Sequence, residues 1–182
     1  MTIDYSALLP LVPYITEQAR NWVQEQQAEH RSLAAGLSKG AREAFAQFFP
    51  AEIVEVARFR VVPVINNPPF FGQLGFSLAI DFTRMEGVTF VDTVALSRTQ
   101  MGGSVPRPAL IFHELVHVVQ YSILGLEKFM ELYVRGCAEN DFDYFRIPLE
   151  RMAYALQARY EANASQPFSV IEEVQQQIAP VV

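Results

Sequence analysis

The chain has one cysteine, three histidines and no cluster of basic residues among its 182 positions. Each scarcity excludes something. A single thiol, Cys137, cannot form an internal disulfide, so a reducing compartment is expected and the residue reads as a small buried apolar side chain. With a net charge of −6 and no basic stripe, nucleic acid and anionic membrane surfaces are poor partners. Charged residues make up only 19% against 51% apolar ones, enough for a substantial core in a chain of this length. The longest uncharged run, Val61 to Ile80, contains Asn66-Asn67-Pro68-Pro69 and Gly72, which prevents it from crossing a bilayer as one helix. The start "MTIDYSALLPLVPYITEQAR" lacks a basic segment and is broken by Pro10 and Pro13, unlike a signal peptide. A cytoplasmic protein of one domain, 1–182, is the expectation.

Three regions follow one another. Residues 1–50 read as helical: a polar-rich stretch "ITEQARNWVQEQQAEHRSLAAGL", then "SKGAREAFAQFFP", with Ser38 as cap and Pro50 as stop. Residues 51–104 read as a small mixed or antiparallel sheet. Its strands are "EIVEVARFRVVPVI", "QLGFSLAIDF" and "GVTFVDTVALS", with "NNPPFFG" as a turn. In the last strand Val88, Phe90, Val94 and Leu96 alternate onto one face, which Asp92 interrupts. Residues 105–182 read as helices again. Pro108 opens the first and Gly125 stops it; "LEKFMELYVRGC" is the next; Pro148 opens "PLERMAYALQARYEA"; Ser169 and Glu172 stand at capping-box spacing before the last. Helices, sheet, helices in that order predict an α+β fold.

Two of the three histidines fall in "ALIFHELVHVVQ", as His113-Glu114-x-x-His117. Residues four apart lie one turn apart on one face of a helix, so both imidazoles can reach one metal ion. Glu114 stands beside them, where its carboxylate can take a proton from water without being a ligand. The competing reading is a central helix with two hydrogen-bonded core histidines. The apolar surroundings weigh against it, because two histidines and a glutamate inside such a helix are costly unless something pairs with them. A catalytic zinc needs a third protein ligand. The longer H-E-x-x-H-x-x-G-x-x-H pattern requires glycine at 120 and histidine at 123, where the chain has Gln120 and Ile123. His30 sits in the polar stretch "QAEHRS" and reads as solvated. A carboxylate is therefore expected, from among Glu127, Glu131, Glu139, Asp141, Asp143, Glu150 and Glu161. Glu150 stands out because it opens an apolar helix, although a first-turn glutamate also suits the helix dipole.

"HELVHVVQY", with "IPLERMAYA" placing Glu150 33 residues beyond His117, resembles the gluzincin metallopeptidases. In that group a glutamate in an E-x-x-A or E-x-x-x-D segment of a later helix is the third ligand. The likeness is to minimal zincin-like domains with H-E-x-x-H-x-x-Q, an upstream G-[VI]-T strand and a P-x-E-x-x-A helix. Gln120, Gly87-Val88-Thr89, and Pro148, Glu150 and Ala153 match, so it covers about residues 87–160. The resemblance implies a zincin-like fold, Zn²⁺ held by His113, His117 and Glu150, Glu114 as catalytic base, and a peptide or protein substrate lying along the "GVTFVDTVALS" strand. Where many gluzincins have an aspartate supporting a zinc histidine, this chain has Tyr154. Tyr154 itself or Asp92 is expected to fill that part, the other reading of Asp92 being a turn or edge residue facing water. Tyr121, Tyr144, Arg146 and Tyr154 are candidate oxyanion donors. Two other functions compete with a zinc peptidase: a zinc-binding scaffold without activity, against which intact Glu114 argues, and a metal-free helical interaction module, which absence of zinc would favour.

Overall fold

The computed structural model describes residues 9–73 and 80–179. The fold is α+β with a small mixed sheet, as the pattern predicts. Helix α1 (Val12–Arg31) is followed by α2 (Lys39–Phe45) and α3 (Ala51–Val56), then strand β1 (Arg58–Val62) and a short α4 (Phe70–Gln73). Strands β2 (Gly87–Phe90) and β3 (Thr93–Ser97) lead through α5 (Arg98–Met101) to α6 (Pro108–Glu139), α7 (Pro148–Ala162) and α8 (Val170–Ile178). Turns of 3-10 helix occur at Phe82–Arg84 and Tyr144–Arg146.

The caps explain the helix boundaries. Ser38 accepts from the Ala41 amide and Ser169 from the Glu172 amide, each satisfying an otherwise unpaired first-turn N–H. α6 is broken at Gly125, where φ +70° and ψ 166° are open only to glycine. Its first segment is buried nearly throughout, from Ala109 to Tyr121. Long and apolar enough to cross a bilayer, α6 has 72% of that apolar window buried inside the fold, as a core helix does.

Two expectations for the sheet are corrected. The stretch from Glu52 does not start as strand: Ala51–Val56 is helical, and β1 begins only at Arg58. Pro50 opens this helix, and the Arg58 guanidinium closes it by donating to the carbonyls of Glu55, Val56 and Ala57 at 2.6, 3.1 and 3.0 Å. "GVTFVDTVALS" is not one strand but the hairpin β2–β3, turning at Val91 and Asp92. The register pairs Gly87 with Leu96, Val88 with Ala95, Thr89 with Val94 and Phe90 with Thr93. Cross-strand partners share a face, so Val88 and Phe90 face opposite to Val94 and Leu96. The expected strand across "QLGFSLAIDF" lies mostly outside the described residues; its end, Phe82, belongs to a 3-10 turn.

β3 is central, parallel to β1 and antiparallel to β2. Beyond β1, Ala35 bridges to Phe59. Among the described residues nothing pairs with the outer edge of β2. On one face of the sheet Phe90 meets Trp22 of α1, ring centroids 5.2 Å apart. On the other, Val94 and Leu96 join Leu115, Val116 and Val119 of α6 in the largest apolar cluster. Gly87 and Thr89 share that second face, which turns them toward the start of α6.

Candidate metal centre

Burial identifies the site first. His113, Glu114, His117 and Glu150 are 4, 2, 5 and 3% exposed. Four titratable groups this deep require compensation, because a charge taken out of water without partners costs several kcal/mol. The first three come from α6, the two histidines one turn apart as the spacing requires. Glu150 comes from the first turn of α7. α7 reaches it through a close approach: a side chain at Gly136 would put Cβ 2.7 Å from Pro148 Cδ.

Three atoms converge. His113 Nε2 lies 3.2 Å from His117 Nε2, and Glu150 Oε2 lies 3.5 and 3.4 Å from those two nitrogens. A tetrahedral ion with bonds of about 2.0–2.1 Å would hold its ligand atoms about 3.3–3.4 Å apart, so the triangle has the size of a zinc-type site. The proton positions agree. Gln120 Nε2 donates to the Leu149 carbonyl at 2.9 Å, which fixes the amide and turns Oε1 to His117 Nδ1 at 2.8 Å. Nδ1 therefore carries the hydrogen and Nε2 turns its lone pair inward. Among the described residues Glu150 Oε2 has no hydrogen-bond partner, while Tyr133 donates to Oε1 at 2.8 Å. The three residues can hold a metal ion. Without a cation, protons must do the pairing. Burial would lower His117, but Glu150 foremost and Glu114 raise it to about 9. Burial likewise works to raise Glu150, and the two histidines overturn that and hold it well below the usual carboxylate range.

Glu114 is held from the sheet. Thr89 Oγ1 donates to its Oε2 at 2.6 Å, and a side chain on Gly87 would overlap its carboxylate, the carboxyl carbon lying 2.8 Å from the Cβ position. Burial raises its pKa, against the pull of the two histidines and the Thr89 hydrogen bond. Next to it opens a cleft of about 470 Å³ lined by His113, Glu114, Gly87, Tyr144, Tyr154 and Arg107 among others. The Arg107–Glu86 ion pair, 2.6 Å, belongs to its wall.

The other sequence candidates divide. Glu127 pairs with Arg20, Glu131 with Lys128 and Arg135, Asp143 caps a 3-10 turn, and Glu161 accepts from Gln157. Asp92 does not support a histidine: its carboxylate is taken by Arg31 at 2.6 Å and Gln27 at 2.8 Å, both on α1, with Thr93 adding a third contact. Tyr154 packs its ring on His113, centroids 4.5 Å apart, and His113 Nδ1 has no hydrogen-bond partner among the described residues, so the tyrosine does not accept from it. Tyr121 is buried with its hydroxyl on Met130 Sδ. Arg146 is exposed and lines neither the cleft nor the cavity behind the triad. Tyr144 lines both. His30 is not solvated: it is buried, with Nδ1 2.8 Å from Arg60 Nη1.

Sequence reasoning missed Tyr133, whose tie to Glu150 spans 17 positions and leaves no local pattern. It noted Gln120 only as part of a motif, and the i, i+3 spacing from His117 was the available signal. Comparison with protein-family models, with curated proteins and with solved structures finds no match.

Proposed function

We propose that the chain is a zinc-dependent peptidase of zincin-like, gluzincin type, with His113, His117 and Glu150 as ligands and Glu114 as general base. The observation that carries this reading is the triangle of His113 Nε2, His117 Nε2 and Glu150 Oε2, with sides of 3.2 to 3.5 Å, buried beside a cleft that Glu114 also lines. When bound, zinc supplies a Lewis acid that polarises a carbonyl and acidifies water.

The rest falls to the chain's own residues. Thr89 holds one carboxylate oxygen of Glu114 and leaves Oε1, over Gly87, to accept a proton from water and deliver it to the leaving amine. The outer edge of β2, which no described residue pairs with, runs past this carboxylate and is able to hold an extended peptide as an added strand. Tyr144 is the oxyanion donor of this reading, because among the four candidates its side chain alone borders both the cleft and the space behind the triad.

Metal content per chain is the test, in the wild type and in His113→Ala, Glu150→Ala and Glu114→Gln, all checked for folding. The expected result is one zinc per chain, lost in the first two and kept in the third, with peptide cleavage falling about 10²–10⁴-fold in Glu114→Gln. A different metal in the same triad would replace zinc chemistry. A folded protein that takes up no metal would overturn the enzyme reading and leave an interaction module. Zinc bound without cleavage of any peptide in a broad library would leave a scaffold.

A further inference from the structure

Behind the triad, on the side of His117 and Glu150, lies a cavity of about 60 Å³ that Glu114 and Thr89 also border. A second cavity of about 60 Å³ lies beside it, lined by residues such as Ile15, Phe70 and Val134 and, among the described residues, by no ionised side chain. Trp22, Phe82, Met130 and Tyr133 face both and form the wall between them. That wall consists of side chains from α1, a 3-10 turn and the second segment of α6, with Trp22 and Phe82 meeting edge to face at 5.2 Å.

We infer that the two chambers are one slot, that it takes an unbranched apolar chain carried by the substrate at the metal centre, and that Trp22 with Phe82 sets the length accepted. The inference rests on the reading of the metal centre given above. Its argument is the distribution of polarity. Among the described residues, groups that can hold a polar head stand at the triad end, and the far chamber offers water few partners, so a hydrocarbon chain loses little by displacing water from it. Each chamber, partly open rather than sealed, is several times the roughly 10–15 Å³ that admits one water, room for a short aliphatic chain and not for a bicyclic ring. A peptide bond flanked by a long straight side chain fits this outline, and a β-branched one does not. Helix α1, outside the span of the metallopeptidase resemblance, thereby becomes a specificity element.

The test uses zinc-loaded protein and straight-chain alkyl hydroxamates of two to ten carbons. Binding is read from the fluorescence of Trp22, the only tryptophan in the chain. Affinity should rise about fourfold per added methylene while the first chamber fills, then level off. Phe82→Ala opens the wall and keeps the reporter, and should extend the rise to longer chains. Equal affinity along the series, or superimposable series for the two proteins, would overturn the inference. Failure of the metal reading looks different: the two-carbon hydroxamate would then bind no better to wild type than to His113→Ala. In that event straight-chain alcohols, which need no metal, decide the slot by the same dependence on length.

Discussion

Gln120 accepts the Nδ1 hydrogen of His117 at 2.8 Å and, with the other end of the same amide, donates to the Leu149 carbonyl at 2.9 Å. One side chain thus fixes the tautomer of a ligand histidine and ties α6 to the residue before Glu150. Gln120→Ala removes both. Groups that orient a ligand in this way contribute about 10–100-fold to metal affinity, and that loss is expected in a competition titration against a zinc chelator. The His117 Nδ1 hydrogen would also be left buried without its acceptor, lowering stability by about 1–3 kcal/mol in urea denaturation. Unchanged zinc affinity would show that Gln120 is only a packing residue.

Gly87 predicts the opposite separation. Its missing side chain makes room for the Glu114 carboxylate, and in Gly87→Ala that carboxylate must move off Thr89. The three ligand atoms do not touch Gly87. Zinc content should therefore stay at the wild-type level while hydrolysis falls by 10²-fold or more, the range of general-base losses. Loss of zinc together with activity would mean that the strand supports the ligands as well as the base.

The pair of histidines was legible because helical spacing is local: His113 and His117 had to share a face. Glu150 stood out among seven carboxylates by opening an apolar helix, but only the resemblance made it the third ligand, since the approach of α7 depends on packing at Gly136 that no local pattern records. The hairpin was hidden by its turn chemistry. Val91 has φ +62°, a conformation that β-branched residues rarely adopt, and no glycine or asparagine marks the reversal. The alternation of Val88, Phe90, Val94 and Leu96 therefore ran straight through the bend. Of the two readings of Asp92 the turn residue holds, and its carboxylate goes not to water but to Arg31 and Gln27 of α1, a helix far away in sequence. Ala51–Val56 is rich in strand-forming residues, and the helix there is set by Pro50 and by the Arg58 side chain at its end.

His30 gives a pH dependence independent of the metal site. Burial lowers its pKa, with Arg60 adding to the shift and Glu29 opposing it. The unfolded chain, with histidine near 6.5, then binds more protons than the folded one as pH falls below that value. The stability His30 contributes is complete above about pH 6.5 and is lost as pH drops toward the folded pKa. His30→Gln keeps an acceptor for Arg60 and does not titrate. The stability difference between wild type and variant, from urea denaturation, should be flat above pH 6.5 and shift in favour of the variant between about pH 6.5 and 5. A difference that does not change with pH would rule this out.

Gly136 tests whether the approach of two helices sets the metal centre. A Cβ there would lie 2.7 Å from Pro148 Cδ and 3.4 Å from Ile147 Cγ2. Pro148 is a ring closed on its own backbone, so it cannot swing aside as the end of a lysine could. In Gly136→Ala the start of α7 must move by several tenths of an ångström, and Glu150, two residues on, moves with it. The Tyr133 hydroxyl and the Gln120 amide hold that same turn, so part of the strain falls on them. Zinc affinity should drop at least tenfold while the circular dichroism spectrum stays that of the folded protein. Gly40→Ala is the control: nothing lies within 4 Å of its Cβ position in α2, and alanine there should leave zinc affinity unchanged while raising stability by up to about 1 kcal/mol. If both variants bind zinc like the wild type, α7 has slack, and Glu150 is positioned by its hydrogen bonds rather than by the packing of its helix.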